Sequence, residues 1–481
     1  MATLAALSMA GGAVIVFAAE RLDFTLLLLL VAAMPAALYA LPALPLAGLK
    51  IGRLLGQLRW WHLLWLMLFL SGLTFRIRGV EDIQDNPLDP MAINRVVLVG
   101  TVGLVLLGAF SVRRGPGIHN LFSGGIGWLT VYALFGTLST MWSVYPGWTF
   151  YKSLEYFVDV ALIAAIVSGV HSTVQFKTLF DWTWLLYGLV LLSVWVGVVL
   201  WPDQAVQRYE ALLPVQIQGV IPVISANGVG TIASTLGTVA VVRLLTRERK
   251  DHLYRLVLAL SILSLLFAQT RSAWLAFLIA LAVILGLRYR FKMWLMLLFL
   301  LAFFTLTVVT GPFAHLLWDY FRRGQDASAI LTLTGRLNLW KIAWDFIMNR
   351  PWSGYGALTG TRFLVAQFDP YGEGAIISGA DNVFLEVLLG TGVIGLILLT
   401  GSILQTWRHL WRRLNGSIQF AENGLVLEAL GVLVVLLVRG WFSAGPFIWH
   451  PPLTWLVVLG YAQQLRSNFV RREGASFAGQ R

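Results

Sequence analysis

The sequence contains no cysteine and few charged residues. Across 481 residues, Asp, Glu, Lys and Arg together make up 12%, against about 25% in soluble globular proteins. The lack of cysteine excludes a disulfide framework, a thiolate metal site and a cysteine nucleophile. The scarcity of charge excludes a soluble enzyme, a disordered protein and a secreted disulfide scaffold, because a soluble chain of this size needs a polar surface.

The chain consists largely of long apolar runs. The chain is 58% hydrophobic, its mean hydropathy is +0.77, and roughly 12–14 runs approach the length that crosses a bilayer. We therefore predict an all-α polytopic membrane protein. The predicted spans are 3–19, 24–46, 59–75, 95–112, 121–142, 152–170, 179–200, 223–242, 256–270, 272–287, 293–310, 383–407, 424–440 and 447–465.

Lysines and arginines between the spans predict the orientation. Basic clusters occur at 243–255, 288–292, 408–413 and 466–472, and such clusters face the cytoplasm. Attraction to the anionic inner leaflet explains the net charge of +12 without nucleic acid. The predicted organisation is a bundle over 1–310 with about eleven spans, a long outward loop over 311–382, three last spans over 383–465, and a cytoplasmic tail over 466–481.

One segment of the long loop has helical periodicity. A helix is predicted from Thr334, its N-cap, to Asn349, because apolar residues recur at helical spacing. The predicted apolar face consists of Leu337, Trp340, Trp344 and Ile347. Such an amphipathic helix either lies on the outer membrane surface or caps the bundle.

Three charged residues at outward span ends can carry chemistry. Arg271 lies between two spans with almost no loop, so it is either a snorkelling anchor or a phosphate-binding guanidinium. Arg336 begins the loop helix, where it is either a solvated surface residue or part of an anion site at a helix N-terminus. Asp381 precedes a span, where it either caps the helix or serves as a general base.

Further polar residues near the same face are candidates for binding substrate. Asn227 begins an outward helix end, where it is either a capping residue or a polar contact to a sugar or phosphate. Glu386 lies one turn inside the span after Asp381 and either orients a partner or faces the bundle. The predicted substrate-binding residues are Asn227, Trp340, Lys341, Arg350, Asn382 and Glu386.

Several charged residues fall inside predicted spans. Glu155 and Asp159 share a helix face, with Lys152 available to pair with Glu155, while no partner for Asp159 can be identified. With Arg271 and Arg439 they suggest an alternative interpretation, a transporter whose path these residues line. The outward histidine at 450 is expected to be isolated, and the sequence has no His-Glu-x-x-His motif and no nucleotide-binding glycine loop. We therefore expect no metal and no cofactor.

An ordered series of motifs resembles the O-antigen ligase/polymerase family of bacterial envelope glycosyltransferases. The similar part covers about 142–395, and the flanking spans match only in hydrophobicity. The motifs are Trp142-Ser-Val-Tyr-Pro-Gly147, Ser225-Ala-Asn-Gly228, Thr270-Arg-Ser-Ala-Trp274, Thr334-Gly-Arg-Leu-Asn-Leu-Trp340, Asn349-Arg-Pro-Trp-Ser-Gly-Tyr-Gly356, Asp381-Asn-Val-Phe-Leu-Glu386 and Gly390-Thr-Gly-Val-Ile-Gly395.

The resemblance implies a glycosyltransferase-C-like bundle that acts at the periplasmic face of the bacterial inner membrane. It implies a glycan donor on undecaprenyl pyrophosphate, with Arg271 and Arg336 binding the pyrophosphate. Ligases of this family have a histidine where this sequence has Asp381. That departure favours an O-antigen or exopolysaccharide polymerase, with Asp381 as base, over a ligase that transfers to lipid A-core in lipopolysaccharide biosynthesis.

The implied partners follow from that reaction. They are the lipid-linked donor, a glycan or lipid-linked acceptor, the bilayer and, as a candidate, a regulator of chain length. We expect metal-independent transfer with inversion at the anomeric carbon. Two alternatives, a transporter and a non-catalytic scaffold, remain beside this interpretation.

Overall fold

The computed structural model describes most of the chain from residue 44 onward. The described residues are 44–74, 78–112, 116–170, 172–208, 213, 215–246, 251–289, 336–369, 376–377, 379–415 and 423–478. The predicted spans 3–19 and 293–310, nearly all of 24–46, and the part of the long loop before Arg336 lie outside these residues.

Helices dominate the described residues. Each predicted span within them corresponds to a helix, with ends displaced by a few residues. In chain order the helices are α1 (Leu44–Leu55), α2 (Trp60–Leu73), α3 (Val80–Asp85), α4 (Pro90–Val112), α5 (Pro116–Leu121), α6 (Gly124–Leu138), α7 (Pro146–Gly169), α8 (Thr173–Leu200), α9 (Pro202–Ala205), α10 (Ala226–Thr246), α11 (His252–Ala268), α12 (Arg271–Tyr289), α13 (Arg336–Asn349), α14 (Gly360–Phe363), α15 (Val383–Asn415), α16 (Gly424–Gly440), α17 (Gly445–Ile448) and α18 (Leu453–Ala478).

Five of these helices are long and apolar enough to cross a membrane. They are α4, α8, α10, α12 and α15, and the shorter helices α2 and α11 are also apolar. The prediction of an all-α polytopic membrane protein is confirmed. Two differences are local. An antiparallel hairpin, β1 (Val206–Arg208) with β2 (Val215–Ile217), occupies the predicted loop after α8, and α18 continues to Ala478 through most of the predicted tail.

Large apolar side chains fill the centre of the bundle. Trp65, Phe176, Phe180, Phe447 and Trp455 are fully buried. Around them, α10 packs along α11, α6 along α15, and α12 along α16. This packing fixes the helix ends, and thereby the loops that connect them.

The loops at one end of the bundle contact one another, and we call this end the loop face. It consists of the described residues of segments 78–95, 142–152, 201–227, 268–272 and 336–386. The backbone N–H of Val144 donates to the carbonyl of Tyr355 at 3.0 Å. The Trp148 indole N–H donates to the carbonyl of Leu358 at 3.1 Å. The loop that follows α13 is therefore held against the start of α7.

Helix α15 is interrupted where that same loop meets it. Gly392 has φ 65° and ψ −165°, a conformation open to glycine but not to other residues. The interruption exposes backbone groups that pair with the loop. Tyr355 N–H donates to the Leu389 carbonyl at 2.9 Å, and Val393 N–H donates to the Pro351 carbonyl at 2.8 Å. Two of the sequence motifs thus join through their backbones.

Replacing Gly392 by alanine is expected to destabilise the protein by about 2 kcal/mol or more. An added Cβ would lie 2.3 Å from the Trp352 carbonyl carbon and oxygen, in a positive-φ conformation. Gly100 of α4 is the matched control, because a Cβ there meets nothing within 4 Å. Thermal unfolding in one detergent compares Gly392→Ala with Gly100→Ala, and equal stabilities would show that the interruption is not required.

The loop helix α13 lies where the sequence predicts it, but its buried face differs. Leu339, Ala343 and Ile347 are buried, whereas Leu337 is 43% and Trp344 is 50% exposed. Of the predicted apolar face, Ile347 is buried within the protein, whereas Leu337 and Trp344 are not. The face that packs within the protein has the small Ala343 at its centre, and the helix contacts α15. The predicted cap, Thr334, lies outside the described residues.

Candidate functional site

Asp381 and Arg336 form an ion pair at the loop face. Arg336 Nε donates to Asp381 Oδ2 at 3.1 Å, and the two side chains are 18% and 38% exposed. Asp381 does not cap α15. The Asn382 side-chain oxygen performs that function, accepting from the N–H groups of Phe384 at 2.9 Å and Leu385 at 3.2 Å. The carboxylate of Asp381, in a left-handed residue with φ 51°, is directed to Arg336 instead.

The segment that carries Asp381 is fixed by two buried or half-buried side chains. Glu386 Oε2 accepts from the backbone N–H of Ala380 at 2.7 Å and from the Thr361 hydroxyl at 2.8 Å. The Trp340 indole N–H donates to the Ala380 carbonyl at 2.8 Å. Both backbone groups of the residue before Asp381 are thus held, so the Asp381 carboxylate is positioned by α13 and α15 together.

Arg271 lies at the N-terminus of α12, after the tight turn that the sequence predicts. Gln269 adopts the left-handed conformation, with φ 49°, and its amide donates to the carbonyls of Leu213 at 2.9 Å and Val215 at 2.7 Å. The Thr270 hydroxyl donates to the Ala226 carbonyl at 3.1 Å. The hairpin and the start of α10 therefore hold the turn, and Arg271 is half-buried at the loop face.

Arg439 of α16 connects the elements around Arg271. Its fully buried guanidinium donates to the Thr231 hydroxyl at 3.0 Å, to the Asn227 carbonyl at 3.3 Å, and to the hydroxyl of Ser272. The charges of Arg336 and Asp381 also act on Arg439. The three residues predicted to be catalytic therefore lie around Arg439. The sequence analysis connected Arg439 only with the transporter alternative.

The predicted substrate-binding residues have different surroundings. The Asn227 side chain is exposed, and the backbone of that residue binds Arg439. Lys341 is exposed on α13. The Arg350 guanidinium lies 5.0 Å from the Tyr355 ring centroid and supports the loop. The observed contacts of Trp340, Asn382 and Glu386 are within the protein. A substrate contact for any of the six stays a prediction.

The buried acids of α7 have partners that sequence reasoning missed. The predicted pair of Lys152 with Glu155 is present at 2.8 Å, and Arg95 adds a second cation to Glu155 at 2.5 Å. Asp159 Oδ2 lies 2.7 Å from Nδ1 of His450. The expectation that the histidine at 450 is isolated is therefore wrong, because packing joins residues 291 positions apart. Both acids thus have partners within the bundle, although Oδ1 of Asp159 has no hydrogen-bond partner among the described residues.

The arrangement at the loop face suits a reaction in which a phosphate-type anion leaves a donor while an alcohol acceptor gives up its proton. Two guanidinium groups, Arg271 and Arg336, can stabilise negative charge on phosphate oxygens. The Asp381 carboxylate can accept a proton from a hydroxyl group. Among the described residues, no group of three His, Cys, Asp or Glu side chains can hold a metal ion.

These features define a multi-pass helical membrane protein in which arginines and the Asp381 carboxylate are gathered at the loop face. Residues 256–400 match the family model described as O-antigen ligase. The matched stretch begins in α11, ends in α15 and contains Arg271, Arg336 and Asp381, while Arg439 lies beyond it. The match confirms the resemblance to the O-antigen ligase/polymerase family and supports a glycosyltransferase-type membrane enzyme. No curated protein matches the chain.

Proposed function

We propose that this protein transfers a glycan from undecaprenyl pyrophosphate to a sugar hydroxyl at the periplasmic face of the bacterial inner membrane. The proposed product is a longer O-antigen or exopolysaccharide chain. The observation that carries the proposal is the ion pair of Arg336 with Asp381 at 3.1 Å, within the stretch that matches the O-antigen ligase family. An anion-binding group and a proton acceptor lie side by side there.

The reaction breaks the bond between the anomeric carbon and the pyrophosphate oxygen. The acceptor hydroxyl oxygen forms the new bond to that carbon, and direct displacement inverts the anomeric configuration. Asp381 accepts the hydroxyl proton, while Arg271 and Arg336 stabilise the departing pyrophosphate. The energy comes from the donor, so the step needs neither a nucleotide nor a metal.

The pyrophosphate of the donor can replace the Asp381 carboxylate as the partner of Arg336. Partly exposed ion pairs contribute only about 0–1 kcal/mol, so a pyrophosphate can displace the carboxylate from the guanidinium at little cost. Donor binding then releases Asp381 to accept a proton from the acceptor. The pair is accordingly a resting arrangement of the two groups.

A ligase reaction is the second candidate, because the matched family model carries that description. The polymerase is preferred because Asp381 stands where ligases of the resembled family have histidine. The two reactions share the donor site and differ in the acceptor, which is another lipid-linked glycan in one case and lipid A-core in the other.

Reconstitution of the full-length protein in proteoliposomes separates these functions. We expect longer lipid-linked glycans from undecaprenyl-pyrophosphate repeat units alone, in the presence of EDTA and without nucleotide sugar. Arg271→Ala and Arg336→Ala are each expected to slow the transfer about 10²-fold or more. Arg208→Ala, an exposed arginine of β1 at the same face, is the matched control and retains the rate.

Three results would change the conclusion. Transfer that occurs only when lipid A-core is added identifies a ligase. A product that retains the donor's anomeric configuration contradicts direct displacement. No transfer from a panel of donors and acceptors by folded protein contradicts the proposed function and favours a transporter or scaffold.

A further inference from the structure

A second cationic site lies beside the first at the loop face. A cavity of about 350 Å³ opens between the C-terminal end of α2, the starts of α4 and α7, and α14. Its volume is within the range of small-ligand sites. Four of its lining side chains are cations, namely Arg78, Arg95, Lys152 and Arg362. Much of the remaining lining is apolar or aromatic.

The carboxylates near the cavity do not balance these cations. Asp89 lies 3.5 Å from Arg78, and Glu155 binds both Arg95 and Lys152. These two carboxylates serve three of the cations, and the Glu386 carboxylate also acts on Arg362. Four cations therefore face three carboxylates, and the group carries excess positive charge. An anionic ligand would restore the balance in a partly desolvated space, where charge interactions are strong.

Arg362 is the cation whose hydrogen bonding is incomplete. The residue is 3% exposed, and its Nη1 donates to the Arg78 carbonyl at 3.3 Å. Its Nη2 has no hydrogen-bond partner among the described residues. Burial lowers the pKa of Arg362 to about 10, so the guanidinium is still charged at neutral pH. A buried charged donor without an acceptor is costly, and a ligand anion would satisfy it.

The cavity is connected to the Asp381 carboxylate through a short hydrogen-bonded layer. Thr361, which precedes Arg362, donates to Glu386 at 2.8 Å. The same carboxylate oxygen accepts from the backbone of Ala380, the neighbour of Asp381. The cavity and the Asp381 carboxylate therefore lie on two sides of one buried hydrogen-bonded layer.

We propose that this cavity binds an acidic sugar of the acceptor glycan, one that bears a phosphate or a carboxylate. The Arg362 guanidinium, which lines the cavity, binds the anion, and the apolar lining contacts the C–H faces of the ring. The inference rests on the proposed function, because it assigns the cavity to the second substrate. Donor and acceptor then engage separate cations, Arg271 and Arg336 for the pyrophosphate and the cavity for the acidic sugar.

Calorimetric titration of the full-length protein in phosphatidylcholine nanodiscs tests the site without turnover. Glucose 6-phosphate and galacturonate are expected to bind, and glucose and galactose are expected to bind at least tenfold more weakly. Arg362→Gln is expected to weaken binding of the acids at least tenfold, whereas Arg208→Gln binds them like the wild type. In the transfer assay, Arg362→Gln raises the KM for an acidic acceptor and leaves kcat unchanged.

A second variant blocks the cavity while Arg362 stays in place. Gly147 lines the cavity, and a Cβ there meets nothing within 4 Å. Gly147→Trp fills this space, so it is expected to abolish binding of the acidic sugars even if Arg362→Gln fails to fold. Undiminished binding to folded Gly147→Trp or Arg362→Gln protein overturns the proposal.

Two further results overturn the proposal. Neutral sugars that bind as tightly as the acids would show that no anion is recognised. Loss of sugar binding in phosphatidylglycerol nanodiscs would assign the cavity to a lipid headgroup. Because the titration needs no donor, its outcome is separate from that of the proposed function. Binding without any transfer contradicts the transferase, and transfer without binding contradicts only the acceptor site.

Discussion

Asp381→Asn is expected to slow glycan transfer by about 10²–10⁴-fold, the usual contribution of a general base. The amide cannot accept the proton of the acceptor hydroxyl. The fold should be retained, because asparagine tolerates the left-handed backbone at this position. The lost pair with Arg336 is partly exposed, so it contributes only about 0–1 kcal/mol to stability. Initial rates at saturating donor and acceptor measure the effect.

Asp345→Asn is the matched control for this substitution. Asp345 is exposed on α13, near the same site, and its replacement is expected to leave the rate unchanged. Asp381→His, which introduces the residue of the resembled ligases, is a sharper test. A histidine base must be neutral, so transfer by this variant should fall as the pH drops below about 6.5. A wild-type rate for Asp381→Asn contradicts the assignment of Asp381 as base.

Arg439→Leu is expected to destabilise the protein by about 1–3 kcal/mol, the cost of leaving a polar group unsatisfied. The substitution removes the donor shared by the Thr231 hydroxyl, the Ser272 hydroxyl and the Asn227 carbonyl. The Asn227 carbonyl still accepts from the Thr231 hydroxyl at 2.9 Å. Thermal unfolding in one detergent measures the loss. Arg412→Leu, at the exposed end of α15, is the control with the same change of residue.

Arg439 is also expected to act as a positioning residue for Arg271. Because Ser272 directly follows Arg271, release of its hydroxyl should loosen the start of α12 and raise the KM for the donor. Arg439→Lys retains the charge but not the planar fork that reaches several acceptors, and an intermediate KM is expected. A folded Arg439→Leu protein with an unchanged donor KM would restrict Arg439 to a structural role. Unchanged stability would contradict the contacts themselves.

The helices could be predicted from the sequence because helix formation in a membrane depends on the residues of one contiguous segment. A segment that crosses a bilayer must satisfy its backbone hydrogen bonds within itself, so an apolar run of sufficient length forms a helix. The two helices that meet at Arg271 show this well. The resemblance was likewise carried by short contiguous motifs, and the match over 256–400 contains the strongest of them.

The sequence-based predictions failed where contacts between separate helices and loops determine the local structure. In α13, helical periodicity allowed more than one apolar face, and the face that packs within the protein is the one with Leu339, Ala343 and Ile347. The sequence analysis considered Asp381 as the cap of α15. Because Asp381 has a left-handed backbone conformation, the Asn382 side chain caps α15 instead. The Asp381 carboxylate pairs with Arg336.

The class of protein, the positions of its described helices and the family resemblance could be inferred from the sequence, because they depend on residues that are neighbours along the chain. Which polar residues meet depends on tertiary packing. It placed Arg439 among three helices, paired Asp159 with His450, and assembled a cationic cavity from four separate segments. A buried charge must find a partner wherever packing places one, and packing does not depend on separation along the chain.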